Sequence, residues 1–133
     1  MKSDMPPEVA AVFQSFTEAA RARLEEVRLL IINVADEAGV GPLTETLKWG
    51  EPAYLTAASK AGSTVRLGVT EGRPAVFFIC TSGLVDGFRA DFPELTYLGN
   101  RGIALDDEAP REALALCLRR ALTHHRTKRK VRG

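Results

Sequence analysis

The residues best placed to do chemistry are Cys80, Thr81 and Ser82, which precede Gly83 where a predicted strand meets a predicted helix. Backbone N–H groups at the start of a helix can hold an anion, and two hydroxyls add further donors. The same position would lower the pKa of the Cys80 thiol and make it a better nucleophile. The alternative is that Cys80 is a small core residue and that Thr81 or Ser82 only caps the helix.

A catalytic cysteine also requires a base. The only two histidines, His124 and His125, lie near the end of the chain, and the sequence does not place them beside Cys80. Cys80 is therefore a weak candidate catalytic residue. Two adjacent histidines do not share one helical face, and no Cys-x-x-Cys or His-x-x-x-His spacing occurs, so we predict no metal site and no cofactor.

A second cluster surrounds a Gly/Pro turn, where Lys48 and Trp49 precede Gly50 and Tyr54 follows Pro52. A cation, an aromatic platform and a phenol are suited to forming one wall of a ligand pocket. Alternatively, the glycine and the proline serve the bend, and the two aromatic residues belong to the core.

Two arginines complete the candidate site. Arg66 lies in a predicted strand, and Arg101 follows a Gly-Asn pair that is typical of a turn, where it is either an anion ligand or an exposed loop residue. Our leading hypothesis is a non-catalytic module that binds a small anionic ligand or a partner's peptide. Its predicted ligand-binding residues are Lys48, Trp49, Tyr54, Arg66, Thr81, Ser82 and Arg101.

The elements that position these residues begin with helices. Pro6 and Pro7 suit a first helical turn, and the Ser-x-x-Glu pattern starting at Ser15 is typical of a capping box. We predict helices over residues 7–14 and 16–38, the second ending at a glycine, although one continuous helix over residues 7–38 is also compatible with the apolar stripe. That stripe comprises Leu24, Val27, Ile31, Val34 and Ala38.

Most of the β-structure follows these helices. Apolar and β-branched runs separated by Gly/Pro turns predict strands, and a final apolar stripe predicts a C-terminal helix with Asp106 or Asp107 as its cap and Pro110 in its first turn. Because strands follow one another, we predict an α+β fold in which an antiparallel sheet of about five strands is flanked by N-terminal and C-terminal helices. The predicted strands are 44–49, 53–58, 64–70, 75–80, 97–98 and 103–105, with a helix over 84–91.

Length and charge suggest one domain with a basic tail. A chain of 133 residues with 45% apolar residues can form one core, which we place in residues 1–125. Removing the five basic residues of segment 126–133 leaves 13 basic against 17 acidic residues, so the body is acidic. We interpret the tail, which could contact nucleic acid or an acidic surface, as a solvated and disordered terminus. Its basic residues are Arg126, Lys128, Arg129, Lys130 and Arg132.

Several classes of protein are disfavoured by composition. No apolar run approaches the ~20 residues of a membrane span, and no secretory signal precedes the first helix. The body has no basic stripe with interleaved aromatic residues, which argues against nucleic acid as a partner. A bridge between Cys80 and Cys117 stays possible, but free thiols in a reducing compartment are the simpler interpretation, and we predict a cytoplasmic protein.

An ordered set of motifs resembles the YdhG-like domain family, whose members are mainly of unknown function. The resemblance covers most of residues 7–125. It implies an α+β fold with helices packed on an antiparallel sheet, and it implies little about activity. The motifs are Leu47-Lys48-Trp49-Gly50-x-Pro52-x-Tyr54, Arg66-Leu67-Gly68, Phe77-Phe78-Ile79-Cys80-Thr81, Leu84-Val85-Asp86-x-Phe88-Arg89, Gly99-Asn100-Arg101 and Ala121-Leu122-Thr123-x-His125.

Three alternatives to the binding module stay open. Some YdhG-like relatives are described as frataxin-like iron chaperones, but the acidic residues of the second helix are interleaved with arginines, as in an ordinary salt-bridged helix face. The second alternative is an enzyme that uses Cys80 as its nucleophile. The third is a protein that acts through a homodimer interface.

Overall fold

The computed structural model describes residues 5–105 and 109–126 and shows an α+β fold. Four α-helices and six strands follow in the order helix–helix–four strands–helix–two strands–helix, and a single 3₁₀ turn, Cys80–Ser82, precedes the third helix. The elements are α1 (Pro7–Ser15), α2 (Glu18–Ala38), β1 (Thr44–Lys48), β2 (Glu51–Leu55), β3 (Val65–Thr70), β4 (Arg73–Phe78), α3 (Leu84–Asp91), β5 (Tyr97–Leu98), β6 (Gly102–Ala104) and α4 (Arg111–Leu122).

The N-terminal region forms two separate helices, so the prediction of a break is confirmed and the continuous helix is wrong. The predicted cap is also wrong, because the Ser15 hydroxyl donates back to the Val12 carbonyl at the end of α1. The residue that caps α2 is Thr17, whose Oγ1 accepts a hydrogen bond from the Ala20 amide at 3.3 Å. As predicted, α2 ends at Gly39, which adopts a left-handed conformation with φ 67°.

The six strands form one antiparallel sheet in the order β1-β2-β3-β4-β6-β5. The tight turn between β1 and β2 consists of Trp49 and Gly50, with φ values of 57° and 76°, and corresponds to a type I′ hairpin. The bend therefore precedes Pro52, which lies within β2. The predicted second strand thus begins two residues too late and continues too far.

All four helices contribute to one core on a single face of the sheet. Strand alternation turns Val65, Leu67, Val76 and Phe78 towards this core. We call the opposite side the outer face. The register assigns to it Thr44, Thr46, Lys48, Glu51, Ala53, Leu55, Arg66, Gly68, Thr70, Arg73, Ala75, Phe77, Gly102 and Ala104.

The loop over residues 56–64 is fastened to the end of α4. The Ala121 carbonyl accepts a hydrogen bond from the Ser63 amide at 2.8 Å, and the His125 amide donates to the Ala61 carbonyl at 2.9 Å. Gly62 lies directly against the backbone of Leu122. Close backbone packing of this kind leaves no room for a side chain at position 62.

The C-terminal helix and the residues after it bear on two further predictions. α4 begins at Arg111, so Pro110 directly precedes it, and the predicted caps Asp106 and Asp107 lie outside the described residues. Arg126, placed by sequence in the basic tail, donates to the Ala38 and Gly39 carbonyls at 2.9 and 2.7 Å, which satisfies the C-terminal end of α2. The rest of the predicted tail lies outside the described residues.

None of the helices in the described part of the chain combines the length and the apolar composition that a membrane span needs.

Candidate functional site

The two aromatic residues of the predicted pocket wall lie in different environments. Trp49, at the tip of the β1–β2 turn, is 88% exposed, whereas Tyr54 is fully buried in the core. Lys48 is exposed on the outer face, and the alternation of the strand carries Tyr54 to the opposite side of the sheet. The predicted aromatic pair is therefore not formed.

Tyr54 instead belongs to a buried polar network that the sequence analysis missed. Arg28 forms a bidentate ion pair with Glu45, through Nε to Oε2 at 2.5 Å and Nη2 to Oε1 at 2.8 Å, and the Tyr54 hydroxyl donates to Glu45 Oε2 at 2.8 Å. The hydrogen bond to Glu45 raises the pKa of Arg28, and burial, reinforced by the Glu45 carboxylate, raises the pKa of Tyr54 far above its ordinary value. Both shifts favour a protonated, charged Arg28 and a protonated, neutral Tyr54 at neutral pH.

A signal for this network was present in the sequence. Arg28 lies one helical turn after Leu24 and three residues before Ile31, so it interrupts the apolar stripe of α2. Glu45 alternates with Leu47 on the inward side of β1. A cation and a carboxylate at inward positions of neighbouring elements are expected to pair, because an unpaired buried charge is very costly.

The network borders a cleft of about 420 Å³ between α2 and the segment that leads into β1. Apart from Asp36, the remaining lining is apolar or glycine, and it includes Pro6, Ile32, Ala35, Pro42 and Leu43. We call this space the β1 cleft. Because Arg28, Glu45 and Tyr54 already bond to one another, the cleft favours an apolar group over an anion.

The predicted anion site around Cys80 is not a preorganised one. The Ser82 hydroxyl donates to the Ile79 carbonyl at 2.6 Å and accepts from the Leu84 amide at 3.2 Å, so it caps the turn that leads into α3. The N-cap position of α3 is Gly83 and has no side-chain capping bond, so Ser82 stabilises the turn before the helix rather than capping the helix itself. Cys80 is exposed rather than a core residue, Thr81 is also exposed, and no described side chain donates a hydrogen bond to the Cys80 thiol.

We expect the two thiols to differ sharply in reactivity. Both are free, and burial raises the pKa of the Cys117 thiol to about 12, while Cys80 is exposed. Titration of the native protein with an aromatic disulfide reagent should release one equivalent of thiolate quickly and the second only in denaturant. Prompt release of two equivalents from native protein would contradict the buried position of Cys117.

The raised pKa of Cys117 also predicts an alkaline loss of stability. In the unfolded chain this thiol ionises near its ordinary value of about 8.5, whereas in the native protein it stays protonated to about 12. The stability that this difference contributes is complete below the unfolded value and is lost as the pH rises from about 9 towards 12. A Cys117→Ala variant should show a shallower decline in urea-unfolding free energy over that range.

On the outer face, two of the predicted ligand-binding arginines come together. The guanidinium carbons of Arg66 and Arg101 lie 5.6 Å and 5.2 Å from the ring centroid of Phe77. Arg66 Nη1 also binds Glu51 Oε1 at 2.7 Å. The result is a continuous layer of carboxylate, guanidinium, aromatic ring and guanidinium, in which the ring faces attract the cations.

Glycine makes this layer possible. A Cβ atom at Gly68 would overlap the Glu51 carboxylate and lie 3.3 Å from the Phe77 ring, and one at Gly102 would lie 2.8 Å from the same ring. Sequence reasoning did not identify Phe77 or Glu51 as site residues. The run over residues 75–80 is almost wholly apolar, so it does not reveal which side of β4 faces away from the helices.

Arg101 also borders a cleft of about 310 Å³ between the β3–β4 turn and the β5–β6 turn. Unlike Arg66, Arg101 forms no ion pair with any described residue. The backbone around it is anchored, since the Phe78 amide donates to the Arg101 carbonyl at 2.7 Å. We call this space the Arg101 cleft; its other lining residues are Thr70, Glu71, Arg73, Leu98, Gly99 and Asn100.

The structure thus brings together Arg66 and Arg101, with Lys48 elsewhere on the same face, and separates them from Tyr54 and from Ser82. Among the described residues, no group of three or more His, Cys, Asp or Glu side chains is arranged to hold a metal ion. Comparisons of the chain with protein-family models, with curated protein sequences and with solved structures find no match.

Proposed function

We propose that this protein is a non-catalytic binding module that holds a small anionic ligand in the Arg101 cleft. The observation that carries the proposal is the Arg101 guanidinium, which lies over Phe77, borders the cleft and has no ion-pair partner among the described residues. A guanidinium held on one side by an aromatic ring keeps its N–H donors available for a carboxylate or a phosphate.

The other lining residues narrow the chemistry of the ligand. Thr70 and Asn100 offer neutral polar groups, Arg73 adds a second guanidinium, and Glu71 contributes a carboxylate to the same cleft. That carboxylate repels a ligand that is anionic throughout and accepts hydrogen bonds from one that also carries donors. A small molecule with one anionic group and a nearby amino or hydroxyl group, such as an amino acid or a hydroxy acid, therefore fits best.

Titration calorimetry with the Arg101→Met variant tests this function. Methionine retains a long apolar side chain over Phe77 and removes the charge. If a panel of amino acids, hydroxy acids and inorganic phosphate contains a ligand, the substitution should weaken its binding roughly ten- to a hundredfold, equivalent to about 1.5–3 kcal/mol for a hydrogen bond to a charged group.

The matched control is Arg119→Met, which removes an exposed arginine from α4 in the helical layer and should leave the affinity unchanged. If no member of the panel binds, or if both variants bind as the parent does, the proposed site is wrong.

The family and the location are proposals too. The motif order supports membership of the YdhG-like family, and the α+β fold is the one that this resemblance implies. The two free thiols support a cytoplasmic location. No feature of the described residues favours iron delivery or a Cys80-dependent reaction over ligand binding.

A further inference from the structure

The two edges of the sheet are unequal. β5 has only two residues, whereas β1 has five and pairs on one side alone, with β2. Apart from this ladder, no described residue forms a backbone hydrogen bond with β1. Edge strands usually avoid pairing through inward-pointing charges or proline. In β1 the inward charge is Glu45, and Arg28 already neutralises it.

The turn that follows β1 has at its tip a tryptophan that is unfavourable there in both exposure and backbone conformation. Trp49 is 88% exposed and has a φ of 57°, in a turn position that normally holds asparagine, aspartate or glycine. Both the exposed indole and the left-handed backbone disfavour tryptophan in an isolated chain. Tryptophan is one of the residues that are enriched at the energetic centres of protein interfaces.

The apolar β1 cleft lies at the other end of the same strand. Pro42 and Leu43 immediately precede β1 and line this cleft, whereas Trp49 immediately follows the strand. The unpaired edge of β1 therefore has an exposed aromatic side chain at one end and a largely apolar cleft at the other. A surface of this form is complementary to a second copy of itself turned by two-fold rotation.

We propose that two copies of this chain associate through antiparallel pairing of their β1 strands, with Trp49 of each copy beside the β1 cleft of the other. When the two-fold axis passes through Thr46, all five residues of each strand are paired, and Thr44 lies opposite the partner's Lys48. The same register places Trp49 opposite the partner's Leu43. The two six-stranded sheets become one continuous sheet.

Neighbouring registers are less favourable. The outer faces of the two sheets lie on the same side only when outward-facing residues of one β1 strand lie opposite outward-facing residues of the other. This requires the two-fold axis to pass through a residue rather than between two residues. An axis at Glu45 would set two carboxylates opposite each other, and like charges in that position are destabilising. An axis at Leu47 would place Trp49 opposite the partner's Glu45 and leave the start of β1 unpaired. Only the register centred on Thr46 pairs all five residues of β1 without placing like charges opposite each other.

This association does not depend on the Arg101 cleft, so it can be tested without any ligand. Sedimentation velocity over roughly a hundredfold range of protein concentration should show a species of twice the 14.5 kDa mass of the chain growing with concentration. Because the chain has one tryptophan, the fluorescence of Trp49 should move to shorter wavelengths over the same range as the indole leaves water. A monomer at every concentration would overturn the proposal.

Two variants test the interface, one at the exposed tryptophan and one in the cleft that it would contact. Trp49→Asn improves the type I′ turn of the monomer and should abolish dimerisation, so a loss cannot be attributed to misfolding. Ile32→Glu places a charge in the β1 cleft, at a half-exposed helical position, and should do the same. The control, Leu116→Ala, removes an apolar residue of α4 that is 46% exposed and should leave the dimer intact. A dimer that survives Trp49→Asn would show that this register is wrong.

Discussion

Replacing Glu45 with leucine is expected to lower the free energy of unfolding by about 3–5 kcal/mol, the usual cost of removing one partner of a buried ion pair. Arg28 is 5% exposed and donates two hydrogen bonds to this carboxylate, and the Tyr54 hydroxyl donates to it as well. Urea unfolding followed by circular dichroism measures the change. Circular dichroism is the better probe because the only tryptophan is already exposed in the native monomer.

A double-mutant cycle separates the pair from simple loss of packing. Arg28→Met combined with Glu45→Leu should recover much of the lost stability, because two apolar side chains leave no buried charge. Glu26→Ala breaks the exposed ion pair with Arg23 and should cost only about 0.5 kcal/mol or less. If the effects of Arg28→Met and Glu45→Leu were simply additive, the two residues would not be energetically coupled.

The same substitution, glycine to alanine, is expected to have opposite effects at two positions. At Gly62 a Cβ atom would overlap the backbone of Leu122, so the loop must move away from α4, and we expect a loss of about 2 kcal/mol or more. At Gly87, within α3, no atom lies within 4 Å of the new Cβ, and we expect a gain of about 0.5–1 kcal/mol from helix propensity.

Thermal and urea unfolding of the two variants measure this difference. Each variant is the control for the other, since both add one methyl group and reduce the freedom of the unfolded chain equally. Equal effects at the two positions would contradict the close contact between the 56–64 loop and α4.

Local signals in the sequence were sufficient for most of the fold. Gly39 predicts the end of α2, and the alternation of Val65, Leu67 and Val69 predicts β3. The β1–β2 turn was misplaced because Gly50 and Pro52 are both turn residues, and only backbone pairing shows that Trp49 and Gly50 form the bend. The cap at Ser15 failed because Thr17, two residues later, competes for the same role.

The candidate site was harder to predict because it depends on register. The sequence indicates that Arg66 and Arg101 are candidate ligand-binding cations. It does not show that pairing across β3, β4 and β6 brings both to the ring of Phe77. For the same reason, the sequence did not show that Trp49 and Tyr54, which are close in the chain, lie in opposite environments, one exposed and one buried. Cross-strand neighbours are set by hydrogen-bond ladders that join distant segments, and a short sequence motif does not show which segments pair.

The fastening of the 56–64 loop to the end of α4 also has a consequence for synthesis on the ribosome. β2 and β3, which flank the loop, leave the exit tunnel well before α4 does. Until α4 emerges, neither the Ala121 carbonyl nor the His125 amide is present to bind the loop. The connection between β2 and β3 therefore lacks these hydrogen bonds in the growing chain. Contacts between distant segments form slowly because the intervening chain must first be ordered. The nascent protein therefore presents Ala61 and Ser63, which are buried in the finished fold, to chaperones and proteases.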